Sequence, residues 1–163
     1  MALHIRRQVL PSDRQAVRAM VTATNFFRPH EIDVAEELVS EHLSKGSKSG
    51  YEFVFLEEDK HLLGYACYGA IAVTLGSFDL YWIVVHPAHQ RHGHGQRLLL
   101  EAEQRIRAEQ GRQVYIETSS QPLYAATQAF YARAGYRLEA TLKDFYDVGD
   151  DKLIYVKSLS APA

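Results

Sequence analysis

Trp82-Ile83-Val84-Val85-His86-Pro87-Ala88-His89-Gln90-Arg91-His92-Gly93-His94-Gly95-Gln96-Arg97 passes from an apolar run through a polar loop with two glycines into an amphipathic segment. Pro87 ends the apolar run, because proline has no N–H to give a sheet ladder. From Gly95 to about Gln110, Leu98, Leu99, Ala102 and Ile106 recur at helical spacing. Glu101/Arg105 and Glu103/Arg107 stand four apart on that helix and read as a solvated flank, with Gly111 as its cap. A strand, a glycine loop and a helix in succession can turn several backbone N–H groups toward one point, where the helix dipole favours an anion. Glycine permits a pyrophosphate to approach where a Cβ would block it. Arg91, Arg97 and the histidines add positive charge.

On either side of this unit the chain alternates strand and helix patterns with no repeat or linker. Ile5 to Val9 reads as a strand, and Pro11-Ser12-Asp13 opens a helix with Val17, Met20 and Val21 inward. Asn25 to Pro29 breaks it, and a second helix from about Glu31 carries Ile32, Ala35, Leu38, Val39 and Leu43 on one stripe. Tyr51–Leu56 and His61–Ile71 read as strands joined by Glu57-Glu58-Asp59-Lys60, and Phe78–Val85 as a third. After the central helix come a strand at Val114–Glu117 and a helix between Pro122 and Gly135 with Leu123, Ala126, Phe130 and Ala134 as its core face. Tyr136–Leu142 and Leu153–Leu159 are the last strands. The fold class is α/β or α+β, a mixed sheet with helices on its faces.

A length of 163 residues suits one domain over residues 1–163. With 47% hydrophobic and 23% charged residues, the composition excludes disorder. A net charge of −2 gives no general drive toward nucleic acid or an anionic membrane. Tyr81–Val85 and similar apolar stretches are far short of the ~20 residues of a spanning helix. The start lacks a signal-peptide core, so a cytoplasmic protein is expected. The single cysteine, Cys67, excludes an internal disulfide framework and lies in an apolar run, as an inert buried thiol does.

Three phosphate-loop readings compete for residues 86–97. A Walker loop needs Gly-Lys-Ser/Thr, which is absent. A Rossmann fingerprint needs a third glycine where Leu98 stands. Gln90, Gly93 and Gly95 instead give Gln-x-x-Gly-x-Gly, preceded by Val85-His86-Pro87. This resembles the coenzyme A pyrophosphate loop of the GNAT acyltransferase superfamily. The later segment Phe130-Tyr131-Ala132-Arg133-Ala134-Gly135-Tyr136 resembles that family's Asn-x-x-Ala-x-x-Phe-Tyr-x-x-x-Gly helix. Tyr124 stands where the family has Asn and Thr127 where it has Ala, which removes one familiar contact to the cofactor arm.

The resemblance implies a GNAT fold of about seven strands, mostly antiparallel, with four flanking helices. It implies an acetyl-CoA-dependent N-acetyltransferase that moves an acetyl group to a primary amine, in a small molecule or a peptide N-terminus, by direct attack. Ile83, Val84, Val85, Gln90, Arg91, His92, Gly93, His94, Gly95 and Gln96 would hold the cofactor, joined by Tyr124, Thr127 and Phe130. A backbone N–H near Val85 would face the acyl oxygen. Tyr124, Thr127 and Tyr131 form a stripe at i, i+3, i+7, and by resemblance Tyr131 is the general acid to the departing thiolate. With a tyrosine pKa of ~10 against ~8.5 for a thiol, full transfer is uphill by about 2 kcal/mol, which favours hydrogen-bond donation. For the base, Glu117 ranks above Asp79, which lies eleven residues before Gln90. The alternative for each is a carboxylate paired at a strand end.

His86, His89, His92 and His94 lie within nine residues. They could gather on a metal, but a loop filled with pyrophosphate cannot also close a metal site, so no metal is expected. Phe26 and Phe27, with Phe145 and Tyr146 in an acidic loop Lys143–Asp151, would wall the acceptor pocket by resemblance. The alternative there is a solvated acidic hairpin. A homodimer is compatible with the family. The rival to an enzyme is a non-catalytic acyl-CoA-binding module on the same fold.

Overall fold

The computed structural model describes residues 2–159. In chain order it contains β1 (Leu3–Arg6), α1 (Asp13–Ala23), α2 (Pro29–Lys45), β2 (Glu52–Glu58), β3 (His61–Ala70) and β4 (Ser77–Val85). These are followed by α3 (His94–Ala108), β5 (Gln113–Ser119), α4 (Ala125–Arg133), β6 (Arg137–Asp147) and β7 (Asp150–Ser158). The strands hydrogen-bond in the order β1-β2-β3-β4-β5-β7-β6. β4 runs parallel to β5, while β1/β2, β2/β3, β5/β7 and β6/β7 are antiparallel. The seven-stranded mixed sheet with four helices is the architecture expected from the sequence. Two compact units share it: the chain up to Gly69 with Trp82–Gln104, and Ala70–Tyr81 with the chain from Arg105 onward. β4 thus gives its second half to the first unit and its first half to the second.

In the first unit, Val17, Met20 and Val21 of α1 and Ala35 and Val39 of α2 are buried with Phe53, Phe55, Tyr65, Cys67 and Val84 of the sheet. Phe53, Phe55 and Tyr65 stack as a ladder at 5.7 and 6.3 Å between centroids. Each such ring contributes roughly 1.5–3 kcal/mol of burial. Cys67 is fully buried in this cluster, and burial pushes its thiol pKa well up. The entry to α1 is fixed by Arg6, whose guanidinium donates two 2.8 Å bonds to Asp13 and one of 2.6 Å to Glu57. Asp13 is 3% exposed and also accepts from the Leu10 N–H.

β3 and β4 meet α3 at Gly64. A Cβ on Gly64 would lie 2.8 Å from the Val84 carbonyl oxygen and 3.0 Å from Leu98 Cδ1. The missing side chain therefore lets the end of β4 and the first turn of α3 close on β3. There the His86 N–H donates to the Leu63 carbonyl at 2.8 Å.

Several boundaries differ from the sequence expectation, each for a local reason. The first strand is Leu3–Arg6, not Ile5–Val9, because Arg6 turns inward to Asp13. β2 runs on through Glu58 and the turn is only Asp59-Lys60, both at positive φ (51° and 66°), as a two-residue hairpin requires. Glu103 and Arg105 are 1% and 8% exposed, so the expected solvated flank of α3 is in part buried. On α4 the expected core face is inverted: Leu123, before the helix, is 60% exposed and Ala126 is exposed, while Tyr131 is the buried residue. Apolar residues lie all round this nine-residue helix, so its pattern does not select a face. The last two strands form one long hairpin, and the segment Lys143–Asp151 expected as a loop is mostly strand.

Replacing Gly64 by Ala is expected to destabilise the protein by about 1–3 kcal/mol, as overpacking against backbone does. Urea unfolding checks it; an unchanged midpoint would show that β4 and α3 can retreat without cost.

Candidate active site

In the first unit, β4 ends at Val85 and a 3₁₀ turn at Pro87–His89 follows. The His86 ring accepts from the Ala88 N–H at 3.1 Å, and the Gln90 amide donates to the Val85 carbonyl at 3.2 Å. Gln90 thus ties the loop back to the strand it leaves. Arg91 and Gly93 both adopt positive φ (67° and 79°) just before α3 begins at His94. A Cβ on Gly93 would meet no atom within 4 Å, so the approach to its backbone is open. Gln90, Arg91, His92 and Gln96 are exposed, and His94 and Gly95 half-buried. His86 lies 5.7 Å from His89 and His92 5.9 Å from His94, ring centre to ring centre. Burial, then the neighbouring His92, His89 and Arg97, hold the His94 pKa below the usual imidazole value, against a weaker pull from Glu58. Among the described residues, no three His, Cys, Asp or Glu side chains form a group that could hold a metal. The Val84 side chain belongs to the core cluster, while Ile83 and Val85 are half-buried. Phe27 packs on that same core and meets Phe26 at 5.2 Å and Trp82 at 5.0 Å.

In the second unit, β4 pairs with β5 from Ser77↔Gln113 to Asp79↔Tyr115, and the register ends there. Strand alternation then puts Asp79, Tyr81, Tyr115 and Glu117 on one face. From β7, Lys152 reaches Glu117 with a 2.9 Å ion pair and lies 4.3 Å over the Phe145 ring. Asp79 is half-buried. Burial and the nearby Glu117 charge raise its pKa, against Lys152 and a hydrogen bond with Tyr81. Tyr131 is 7% exposed, edge-on to Phe130 and Tyr136 at 5.3 and 5.9 Å. Burial drives its phenol pKa well above the ordinary value. Tyr124, Thr127 and Phe130 are half-buried on the same segment.

Residues 49–138 match the family model described as acetyltransferase (GNAT) domain. A crystal structure of a protein assigned to the GNAT acetyltransferases from Desulfovibrio desulfuricans is 50% identical, with a TM-score of 0.94, and the match covers 98% of this chain and 100% of that one. The chain belongs to the GNAT acetyltransferase family. The ribosomal-protein-S18-alanine N-acetyltransferase of Escherichia coli shares the fold at 18% identity and a TM-score of 0.77, covering 99% and 97% of the two chains. An aminoglycoside 6'-N-acetyltransferase solved with coenzyme A does so at 16% and 0.81, covering 100% and 99%. No curated protein matches the sequence.

In this acetyltransferase, the aspartates of the acidic segment fasten its own hairpin. Asp144 accepts from the Gly149 N–H at 2.9 Å, Asp147 from the Val148 N–H at 2.7 Å, and Asp151 from the Asp144 N–H at 2.9 Å. Asp150 is 2% exposed and accepts from the Ser119 hydroxyl. Ser119 in turn accepts from the Gln121 N–H at 3.0 Å, and its carbonyl from the Gln128 amide of α4 at 2.8 Å. Phe145 and Tyr146 are 53% and 42% exposed and meet edge to face at 5.1 Å. Lys152, Ser119 and Asp150 were not singled out by motif, because only the β5/β7 register sets Lys152 diagonal to Glu117 and brings Asp150 to Ser119.

Truncating Asp150 to Ala is expected to cost about 1–3 kcal/mol, because it strands a buried hydroxyl. Asp147→Ala, at the exposed turn, should change stability by only about 0.5 kcal/mol. Chemical denaturation of the two variants separates these expectations; equal losses would remove the anchoring role of Asp150.

Proposed function

We propose that this chain, as one catalytic domain, transfers an acetyl group from acetyl-CoA to a primary amine by direct attack. The loop from His86 to Gly95 carries this reading: positive φ at Arg91 and Gly93, an open approach at Gly93, and the cationic Arg91 and Arg97. Its backbone N–H groups and the α3 dipole suit a pyrophosphate. Main-chain groups of Ile83 and Val85 would meet the pantetheine amides as an added strand does, and an N–H near Val85 would face the acyl oxygen. The bound thioester supplies the activated acetyl group.

A carboxylate of the Asp79–Glu117 pair removes the proton from the acceptor ammonium, freeing its lone pair. The acceptor nitrogen then bonds to the carbonyl carbon, the C–S bond breaks and the thiolate leaves, and the nitrogen gives up its second proton to water to leave the neutral amide. Tyr131 donates a hydrogen bond to that sulfur. Its burial raises the phenol pKa further above that of a thiol, so the proton stays on Tyr131 as the bond breaks. Phe26, Phe27, Phe145 and Tyr146 are the aromatic residues proposed to contact the acceptor.

Free-thiol release from acetyl-CoA, measured over amino acids, polyamines, aminoglycosides, arylamines and N-terminal peptides, tests this reading. Amine-dependent release that falls about a hundredfold in Tyr131→Phe is expected. Tight coenzyme A binding with no release for any amine would overturn it.

The loop histidines make a second expectation. A bound pyrophosphate favours the protonated ring, whereas in the free loop His94 is held toward neutrality. Binding then takes up protons at His94, and coenzyme A affinity should rise as pH falls through and below the ordinary imidazole range. Titration calorimetry at an acid and a neutral pH checks it, with His94→Gln flattening the dependence; equal affinity at both would refute it.

A further inference from the structure

On the face that carries Asp79, the carboxylates of Asp79 and Glu117 are not equivalent in their surroundings. Asp79 and Tyr81 come from β4, Tyr115 and Glu117 from β5, Phe145 from β6 and Lys152 from β7. The register sets Glu117 opposite Ile154 and Ser119 opposite Lys152, so Lys152 is the diagonal neighbour of Glu117 on one face. Its Nζ stands 2.9 Å from Glu117 Oε2, with the Lys152 side chain 14% exposed and that of Glu117 48%. The same ammonium lies 4.3 Å over the Phe145 ring, a second contact that favours the cation. Tyr115 turns its hydroxyl away, to Gln113 at 2.9 Å.

A proton placed on Glu117 would break this pair and leave a largely buried ammonium without its counter-charge, which is costly. Among the described residues Asp79 forms no ion pair; its partner is the Tyr81 hydroxyl, which donates a hydrogen bond to it. Asp79 is half-buried, and the charge of Glu117 beside it favours its taking up a proton. We infer that Lys152 is a positioning residue for acetyl transfer: its ammonium ties Glu117 into an ion pair, so that Asp79 is the carboxylate that takes the acceptor's proton. The first proton leaves the acceptor ammonium for an Asp79 oxygen and passes from there to solvent. This rests on the amine-acetylation reading above.

Activity requires the base unprotonated, so it rises with pH through the Asp79 titration. Removing the negative neighbour in Glu117→Gln moves that limb to lower pH. Removing the positive neighbour in Lys152→Met moves it to higher pH, and Lys152→Arg restores it. Asp79→Asn should lower kcat by about 10²–10³, and Glu117→Gln by less than about tenfold. Carbon-13 NMR of the Asp79 side-chain carboxyl in wild type, Glu117→Gln and Lys152→Met reads the same two opposite displacements without turnover. Lys152→Met keeps an apolar stem in place, and its urea midpoint shows whether it folds. Should no amine be acetylated by the wild type, the proposed activity fails while the NMR titration still tests the charge relay. A kcat loss in Glu117→Gln equal to that of Asp79→Asn, or an Asp79 resonance that neither neighbour displaces, overturns the inference.

Discussion

The geometry of the loop depends on an atom that is absent. At Gly64 the β3 backbone comes so near the Val84 carbonyl and Leu98 that a single methyl group would overlap both. That approach fixes where β4 ends and where α3 begins, and the loop between them must then span a set gap. Positive φ at Arg91 and Gly93 is how the chain reverses within it. The Gln90 amide bond to Val85 keeps the loop from drifting outward. A loop built this way owes its shape to backbone packing.

On the sheet face, position follows from strand register. Three residues of parallel pairing between β4 and β5 bring Asp79 level with Tyr115. The seven-residue ladder between β5 and β7 then brings Lys152 to Glu117. Two carboxylates of similar intrinsic acidity are thereby given different environments, one neutralised by an ion pair and one half-buried beside it. The hairpin that supplies Lys152 and Phe145 is itself rigid, because each of its four aspartates from Asp144 to Asp151 accepts a hydrogen bond within it or from Ser119.

The glycine loop and its flanks could be read from residues because each feature there has one physical meaning. Pro87 cannot continue a ladder, and Gly93 takes a φ that side chains avoid. The α1 and α2 stripes were equally plain, since Val17, Val21, Ala35 and Val39 keep helical spacing. What failed were segments whose composition allows two states. Asp144-Phe145-Tyr146-Asp147 has turn-forming ends around aromatic residues that favour strands, and it continues β6 across an irregularity in the ladder to Asp147, which pairs with Asp150. Around Tyr131, apolar residues on every side of a short helix hid the buried face. Glu103 and Arg105 looked solvated because charge alone carries no information about what packs over it. Lys152 was invisible for a further reason: its partner is 35 residues away in sequence, and only register brings the two together.

Cys67 has a consequence that concerns the product more than the reaction. An enzyme that releases coenzyme A generates a free thiol at each turnover, and an accessible protein thiol could be captured by it as a mixed disulfide. The chain has one cysteine, placed in β3 beneath α1 and α2 with none of its surface exposed. Burial keeps that sulfur protonated, and the thiolate is the species that exchanges. The folded protein therefore offers a thiol in solution no accessible cysteine to exchange with.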